Sequence, residues 1–286
     1  MKKILALTDL SANAAHAAEN AVNLAGKLGI GVILSHANVP LALVPDYAGT
    51  GFTADTINVY NEESRQQLDK LAAHLNAQKK YNVTIETHMG EGWLGSDVEH
   101  VALDQDIDLV VMGAPAGGLV DHLLTGSETR DVLKTTKQPV MIIPADSNVK
   151  NIKNIVFATD YNPTDICALR YLSKWVSIMG CKLDVIHIDV ANEPDKTPQK
   201  HVFETYLVNL QYPGISCRDL RGKDVLKRIE SFCKNTDADL LAVVNYHNGF
   251  FTRLFGGSHT LKVLENLQMP LLVFPRTFCD ENMFSM

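Results

Sequence analysis

The sequence predicts an α/β protein built from two tandem doubly wound domains, each with a five-stranded parallel sheet and about four helices. Three observations carry this. Short apolar runs rich in β-branched residues alternate with helical periods, the pattern of a parallel sheet wrapped by helices. The chain of 286 residues has room for two domains of common size. It also repeats itself: "KKILALTD" (2–9) returns as "KNIVFATD" (153–160), an offset of 151 that also carries His36 onto His187. Farther along, "DIDLVVMG" returns as "DADLLAVV" at an offset of 131, which carries Gly126-Ser127 onto Gly257-Ser258 and Pro139 onto Pro270. The two copies therefore diverge in length between their second and fourth strands.

The elements of the first copy follow in order. "KILAL" is the first strand; Ser11 caps a first helix with Ala15, Ala18, Val22 and Ala25 on one face, and Gly29 ends it. "GVILSHA" is the second strand, and Leu68, Leu71, Ala72 and Leu75 mark the buried stripe of a second helix. "VTIETH" is the third strand, a third helix follows Ser96 and buries Val98 and Val101, and "LVVMG" is the fourth strand. A fourth helix follows Gly126-Ser127 with Val132 and Leu133 inward, and "PVMIIP" closes the sheet. In the second copy Asn162-Pro163 opens the first helix and Thr197-Pro198 the second, with Val202, Tyr206 and Leu210 inward. Its third helix buries Ile229 and Phe232. The boundary falls in "DSNVKN" (146–151), giving domains 1–147 and 148–286.

Composition narrows the function. Hydrophobic residues make up 46% and charged residues 21%, with a formal net charge of -7 and no basic run, which disfavours nucleic acid and anionic membrane as partners. "MKKILALTDL" has too short an apolar stretch for a signal peptide, and no segment approaches the roughly 18 apolar residues of a membrane span. The five cysteines, Cys167, Cys181, Cys217, Cys233 and Cys279, are odd in number without a C-x-x-C pair, so they read as buried thiols of a reduced, cytoplasmic protein. No P-loop lysine motif, nucleophile elbow, H-E-x-x-H or dinucleotide fingerprint is present. His36 and His187 read as structural strand-end histidines, and His247 with His259 falls short of a metal set.

In a doubly wound sheet a ligand lies beyond the carboxyl ends of the strands where the order reverses. Those ends carry Thr8-Asp9 and the loop "GAPAGGLVDHLLTGS" (113–127). Asp9 can accept from an adenine amino group or a ribose hydroxyl, or it can fix a turn before the first helix. Gly126-Ser127 offers free N–H groups at a helix start, either as an anion site or as an ordinary serine cap. The short last strands are candidate pairing edges, with Val140, Ile142, Leu271 and Val273 at the interface.

The repeated strand-"TD"-helix opening, the second strand ending in His, the glycine-rich loop after the fourth strand, the "GS" opening the last helix and the "QPVMIIP" strand together resemble the universal stress protein family, most closely its tandem members. The resemblance covers both copies and implies an adenine nucleotide α-hydrolase-like fold, a role in stress response, and last strands that pair two domains side by side as an internal pseudo-dimer. Some members bind ATP or AMP through Gly, two residues, Gly, nine residues, Gly, then Ser or Thr. On this chain the pattern falls on Gly113, Ala116, Gly126 and Ser127, with Gly117 and Gly118 beside the departing alanine. Asp9 takes the adenine-side position and Ala37 the small apolar contact after the second strand. No cation lies between 113 and 127 to favour a triphosphate. The second copy has Val244 and His247 at the first two glycine positions, keeps only Gly257-Ser258, and is expected not to bind a nucleotide; its Arg253 reads as a solvated or interface residue. Three functions follow: a non-catalytic universal stress protein with ATP or AMP in the first copy, a nucleotide-independent interaction scaffold for an unknown protein partner, or a weak hydrolase using Asp121 or Glu128.

Overall fold

The computed structural model describes residues 1–38, 54–114, 127–162, 165–190, 196–210, 212, 214–245, 269–275 and 277–278. In chain order the first half holds β1 (Lys3–Leu7), α1 (Ala12–Leu28), β2 (Gly31–Asn38), α2 (Ala54–Gln78), β3 (Ile85–Glu91), α3 (Leu94–Asp104), β4 (Ile107–Gly113), α4 (Ser127–Thr135) and β5 (Val140–Ile143). The second holds β6 (Asn154–Ala158), α5 (Asp165–Met179), β7 (Lys182–Asp189), α6 (Thr197–Leu210), β8 (Ile215–Arg221), α7 (Val225–Asn235), β9 (Leu240–Asn245) and β10 (Leu271–Pro275). The helix expected after Gly257-Ser258 lies outside the described residues.

All ten strands form one sheet in the order β3-β2-β1-β4-β5-β10-β9-β6-β7-β8. Each half is parallel within itself and has the same internal order, and the halves meet where β5 and β10 pair antiparallel. The register sets Val140 opposite Val273 and Ile142 opposite Leu271, so the four expected interface positions form two facing pairs, all buried. An antiparallel junction between parallel halves sends the carboxyl ends of their strands to opposite edges of the sheet.

Two apolar layers cover the sheet. On one face α1, α2, α5 and α6 bury Leu24, Leu68, Leu172 and Phe203; on the other α3, α4 and α7 bury Val98, Val132 and Ile229. α1 and α5 also pack on each other across the junction. The segment between the halves is tied to α1, where Asn20, fully buried, accepts the Val149 N–H at 2.9 Å. Tyr171 of α5 donates its hydroxyl to Asp108 of β4, to the backbone oxygen at 3.2 Å and to Oδ2 at 3.1 Å.

Local signals account for α1: Ser11 is extended and its hydroxyl accepts the Ala14 N–H, and Gly29 closes the helix at φ +69°. Ala15 is half-buried, because the buried face of α1 is broader than the expected stripe and includes Ala14, Ala17 and Ala21. The helix expected after Ser96 begins earlier, at Leu94. Its start is capped from a neighbouring helix: Asp131 of α4 accepts the Gly95 N–H at 3.0 Å, and the Ser96 hydroxyl donates back to the Trp93 carbonyl. The third strand begins at Ile85, two residues past the expected Val83, and runs on to Glu91. In α6 the expected Val202 is 51% exposed while Phe203 is fully buried, with Tyr206 and Leu207 half-buried beside it. The inward spacing there is i, i+3, i+4 from Phe203; the side chain of Leu210 lies outside the described residues.

Candidate functional site

The candidate site opens where β1 ends. Beyond Leu7 the chain turns through Leu10 in the left-handed region at φ +65°. Side chains hold this turn: Thr8 Oγ1 accepts the Leu10 N–H at 3.0 Å, and Asp9 Oδ1 accepts the Ser11 N–H at 2.9 Å. Asp9 thus fixes the turn with one carboxylate oxygen, while Oδ2 makes no hydrogen bond among the described residues. His36 at the end of β2 donates its Nδ1 hydrogen to the Thr8 carbonyl at 2.8 Å, and His187 does the same to the Thr159 carbonyl at 2.9 Å. Both are the structural histidines expected.

Between the carboxyl ends of β1, β2 and β4 lies a cleft of about 200 Å³. Asp9 and Ala37 line it with Gly113 and Ala114, and the first turn of α4 contributes Glu128 and Thr129. Three expected site residues, Asp9, Ala37 and Gly113, therefore share one wall. Gly117 and Gly126 lie outside the described residues, as does the Ser127 side chain, although the Ser127 backbone begins α4. Gly113 also sets how closely two elements approach. A Cβ there would come within 2.9 Å of the Asn13 carbonyl oxygen, so the first turn of α1 rests directly on the end of β4.

Sequence reasoning did not single out Gly92, at φ +94°, or Leu94, which close the cleft from the β3–α3 connection. A glycine between a strand end and a helix start was the available signal. The neighbouring Trp93 is 71% exposed. The charged groups lining the cleft among the described residues are Asp9 and Glu128, both acidic.

Beside the cleft, the buried Asp97 of α3 accepts from the Ser35 hydroxyl at 3.3 Å and sits 3.1 Å from His88 Nε2. Ser35 and His88, register partners on β2 and β3, both address the carboxylate and share no hydrogen bond with each other, so the imidazole is not placed to activate the hydroxyl. Gly90 leaves the space that the Asp97 carboxylate fills. Among the described residues no group of His, Cys, Asp and Glu could hold a metal ion, and no helix is long and apolar enough to cross a membrane.

The corresponding region of the second half is closed by side chains. Ile188 replaces Ala37 and Val244 replaces Gly113, both buried. Asp160, which replaces Asp9, is paired with Lys196 at 3.2 Å. Tyr161 replaces Leu10 at φ +57°; its ring lies 4.7 Å from that of His187, and its hydroxyl donates to Asp219 Oδ1 at 2.7 Å. Lys200 pairs with the same carboxylate. Burial pushes the Tyr161 phenol far above its usual value, reinforced by the bond to Asp219. Burial also raises the Asp219 carboxyl, but Lys200 and the Tyr161 hydroxyl outweigh it and hold it below the usual range.

A family model described as the universal stress protein family matches residues 1–144, half of the chain. A universal stress protein of Methanocaldococcus jannaschii is 25% identical over 144 residues, covering 50% of this chain and 81% of its own. Among solved structures, a universal stress protein of Archaeoglobus fulgidus superposes with a TM-score of 0.73 at 20% identity over 96% of both chains. A functionally unknown protein of Pseudomonas aeruginosa gives 0.59 at 13% identity over 99% of this chain and 97% of its own. These two structures speak to the fold, which they share across both halves. With the first half matched by the family model, the chain belongs to the universal stress protein family.

Proposed function

We propose that the first half binds an adenine nucleotide, ATP or AMP, and that the chain acts by binding rather than by turnover. The observation that carries the reading is the cleft at the ends of β1 and β4, whose wall joins Asp9, Ala37 and Gly113 with the first turn of α4. Asp9 Oδ2 can accept from the adenine amino group or a ribose hydroxyl, the small Ala37 leaves room for a flat base, and Gly113 lets the backbone come close. The loop that would hold the phosphates keeps Gly113, Gly126 and Ser127 of the family pattern in this reading, with Ala116 at the second glycine position and Gly117 beside it to restore the turn. A binding role is favoured over hydrolysis because, among the described residues lining the cleft, no hydroxyl donates to a carboxylate or an imidazole, and Glu128 is the described carboxylate beside the phosphate end.

In the same proposal the chain comprises units 1–147 and 148–286, joined as an internal pseudo-dimer through β5 and β10. The second unit holds no nucleotide, since Ile188 and Val244 occupy the equivalent wall. The free thiols support a reduced, cytoplasmic setting. Calorimetry with ATP and AMP on the wild type and on Ala37→Ile tests the nucleotide reading. Isoleucine is what the second half carries at that place, so the backbone accommodates it. At least one nucleotide should bind the wild type, and the variant should bind at least tenfold more weakly. No saturable heat from the wild type would leave the nucleotide-independent scaffold as the better description.

A further inference from the structure

The connections that leave the carboxyl ends of β1 to β4 share a charge pattern. They are residues 8–11, 39–53, 92–93 and 114–126, and none contains a lysine or an arginine, while together they hold Asp9, Asp46 and Asp121. The second half differs: its connections carry Lys196, Lys223 and Arg253, and Arg228 stands at the offset of Asp97. Among the described residues that line the first-half cleft, the charged groups are Asp9 and Glu128, and Arg130, the next cation along α4, does not line it.

Glu128 stands where an added charge matters most. It is exposed, lies in the first turn of α4 and lines the cleft. A helix start carries a partial positive charge that draws anions, and an acidic residue in the first turn answers that charge from within the chain. A phosphate brought to the same helix start meets a carboxylate already there, and like charges at close range repel. The cleft is small as well: its volume of about 200 Å³ lies below the roughly 300–1,000 Å³ of pockets that enclose a drug-sized ligand. Room of that size suits a base and its sugar. Each added phosphate then comes to lie at an acidic rim, with no guanidinium or ammonium group from these connections to hold it.

We propose that the first-half cleft sorts adenine ligands by charge, taking AMP well ahead of ATP, and that Glu128 is the residue that discriminates. The inference rests on the nucleotide reading above and narrows it to the monophosphate. ATP carries roughly twice the negative charge of AMP, so a fixed carboxylate beside the phosphates costs it more. The preference weakens with salt, since Glu128 is exposed and its field is screened over about 10 Å at 0.1 M ionic strength. Such a site responds to AMP without being filled by ATP.

The test titrates the full chain by calorimetry with adenosine, AMP and ATP, at low salt and with divalent cations chelated. Wild type, Glu128→Gln and Asp104→Asn are compared, with thermal melts to verify that both variants are folded. Glutamine keeps the shape of the side chain and removes its charge. Asp104, exposed at the far end of α3, gives the same change in net charge away from the cleft. The wild type should bind AMP at least tenfold more tightly than ATP. Glu128→Gln should cut that ratio at least threefold through a gain in ATP affinity and leave adenosine within twofold, and Asp104→Asn should leave the ratio unchanged. AMP bound with less than a tenfold preference, or a ratio that Glu128→Gln lowers by less than threefold, overturns the charge selection and leaves the nucleotide reading standing. A ratio lowered equally by Asp104→Asn removes Glu128 as the discriminating residue, because net charge alone would then account for it. No saturable binding of adenosine, AMP or ATP overturns the nucleotide reading and this inference together.

Discussion

The two halves share a frame and differ at its rim. Both wind their strands in the same order, both place a left-handed residue after the Thr-Asp pair, and both bind a histidine Nδ1 to the threonine carbonyl on the neighbouring strand. At the carboxyl ends the likeness stops. The first half has Gly113, Ala37, an Asp9 open on one side, and an inward Asp97; the second has Val244, Ile188, an Asp160 held by Lys196, and Arg228. Backbone ladders and apolar alternation carry the frame, so rim residues can change size and sign without disturbing it. Gly113 is the exception, because the backbone of α1 touches it.

That exception yields the largest expected effect. Gly113→Val transplants the second half's residue into the first and drives a branched side chain against the Asn13 carbonyl. It should destabilise by about 3 kcal/mol, the upper range for overpacking a tight site. Val244→Ala, which only removes buried methyl groups, should cost about 2 kcal/mol. Urea unfolding of both variants checks the ranking; equal losses would show that the approach of α1 to β4 is slack and that the glycine is there for another reason.

A smaller difference lies in how the third helix of each half is capped. In the second half Asp224 caps α7 within its own turn, accepting the Lys227 N–H at 3.2 Å. In the first, Asp131 reaches α3 from α4, and Thr135 of α4 donates to the Gly95 carbonyl. Asp224→Ala should therefore cost about 1 kcal/mol, a usual cap. Asp131→Ala should approach about 2 kcal/mol, since it also unfastens α4, whose first turn lines the cleft. If the two losses match, the tertiary cap adds nothing beyond a local one.

These examples mark what the sequence could disclose. Ser11 and Gly29 act within a turn of their own helix, so their types announced both ends of α1. The strand positions followed from apolar runs that must be buried on both sides of the sheet, whereas the pairing of β5 with β10 was what the family resemblance implied and its register came from the structure. Asp131 was not legible, because its target lies on another helix. The engagement of Asp160 by Lys196 was hidden for the same reason, as the two are brought together by the return of the chain over β7. Val202 was misjudged because Val202 and Phe203 are adjacent and either fits a helical period with Tyr206; the ring of Tyr161, 5.5 Å away and edge-on, decides for phenylalanine. Within the candidate site, Asp9 and Gly113 were readable from position at strand ends and Ala37 from the family resemblance, whereas Gly92 owes its role to a turn that no periodicity signals.

The smallest expected effect concerns Tyr161, which stands where the first half has Leu10 and gives the second half a pH dependence the first lacks at that position. Asp219 has its carboxyl held low in the folded chain, so it adds stability above its unfolded value of about 3.9 that is lost as pH falls through the lower folded value. Lys200, raised mainly by its bond to Asp219, adds stability below its unfolded value of about 10.4 that is lost as pH rises through the folded value. Tyr161 favours its neutral form when folded, so the wild type also loses stability once pH passes the unfolded phenol value of about 10. Tyr161→Phe removes one of the three groups that hold Asp219 low, the others being Lys200 and His187, and removes the phenol itself. The expected result is a loss of about 1 kcal/mol at neutral pH, an acid limb moved to higher pH, and a gentler alkaline limb. Leu10→Met, the matching change in the first half, should leave both limbs where they are. Urea midpoints measured from acid to alkaline pH decide the matter: a Tyr161→Phe profile parallel to the wild type would mean that Lys200 and His187 set the charge of Asp219 without the phenol.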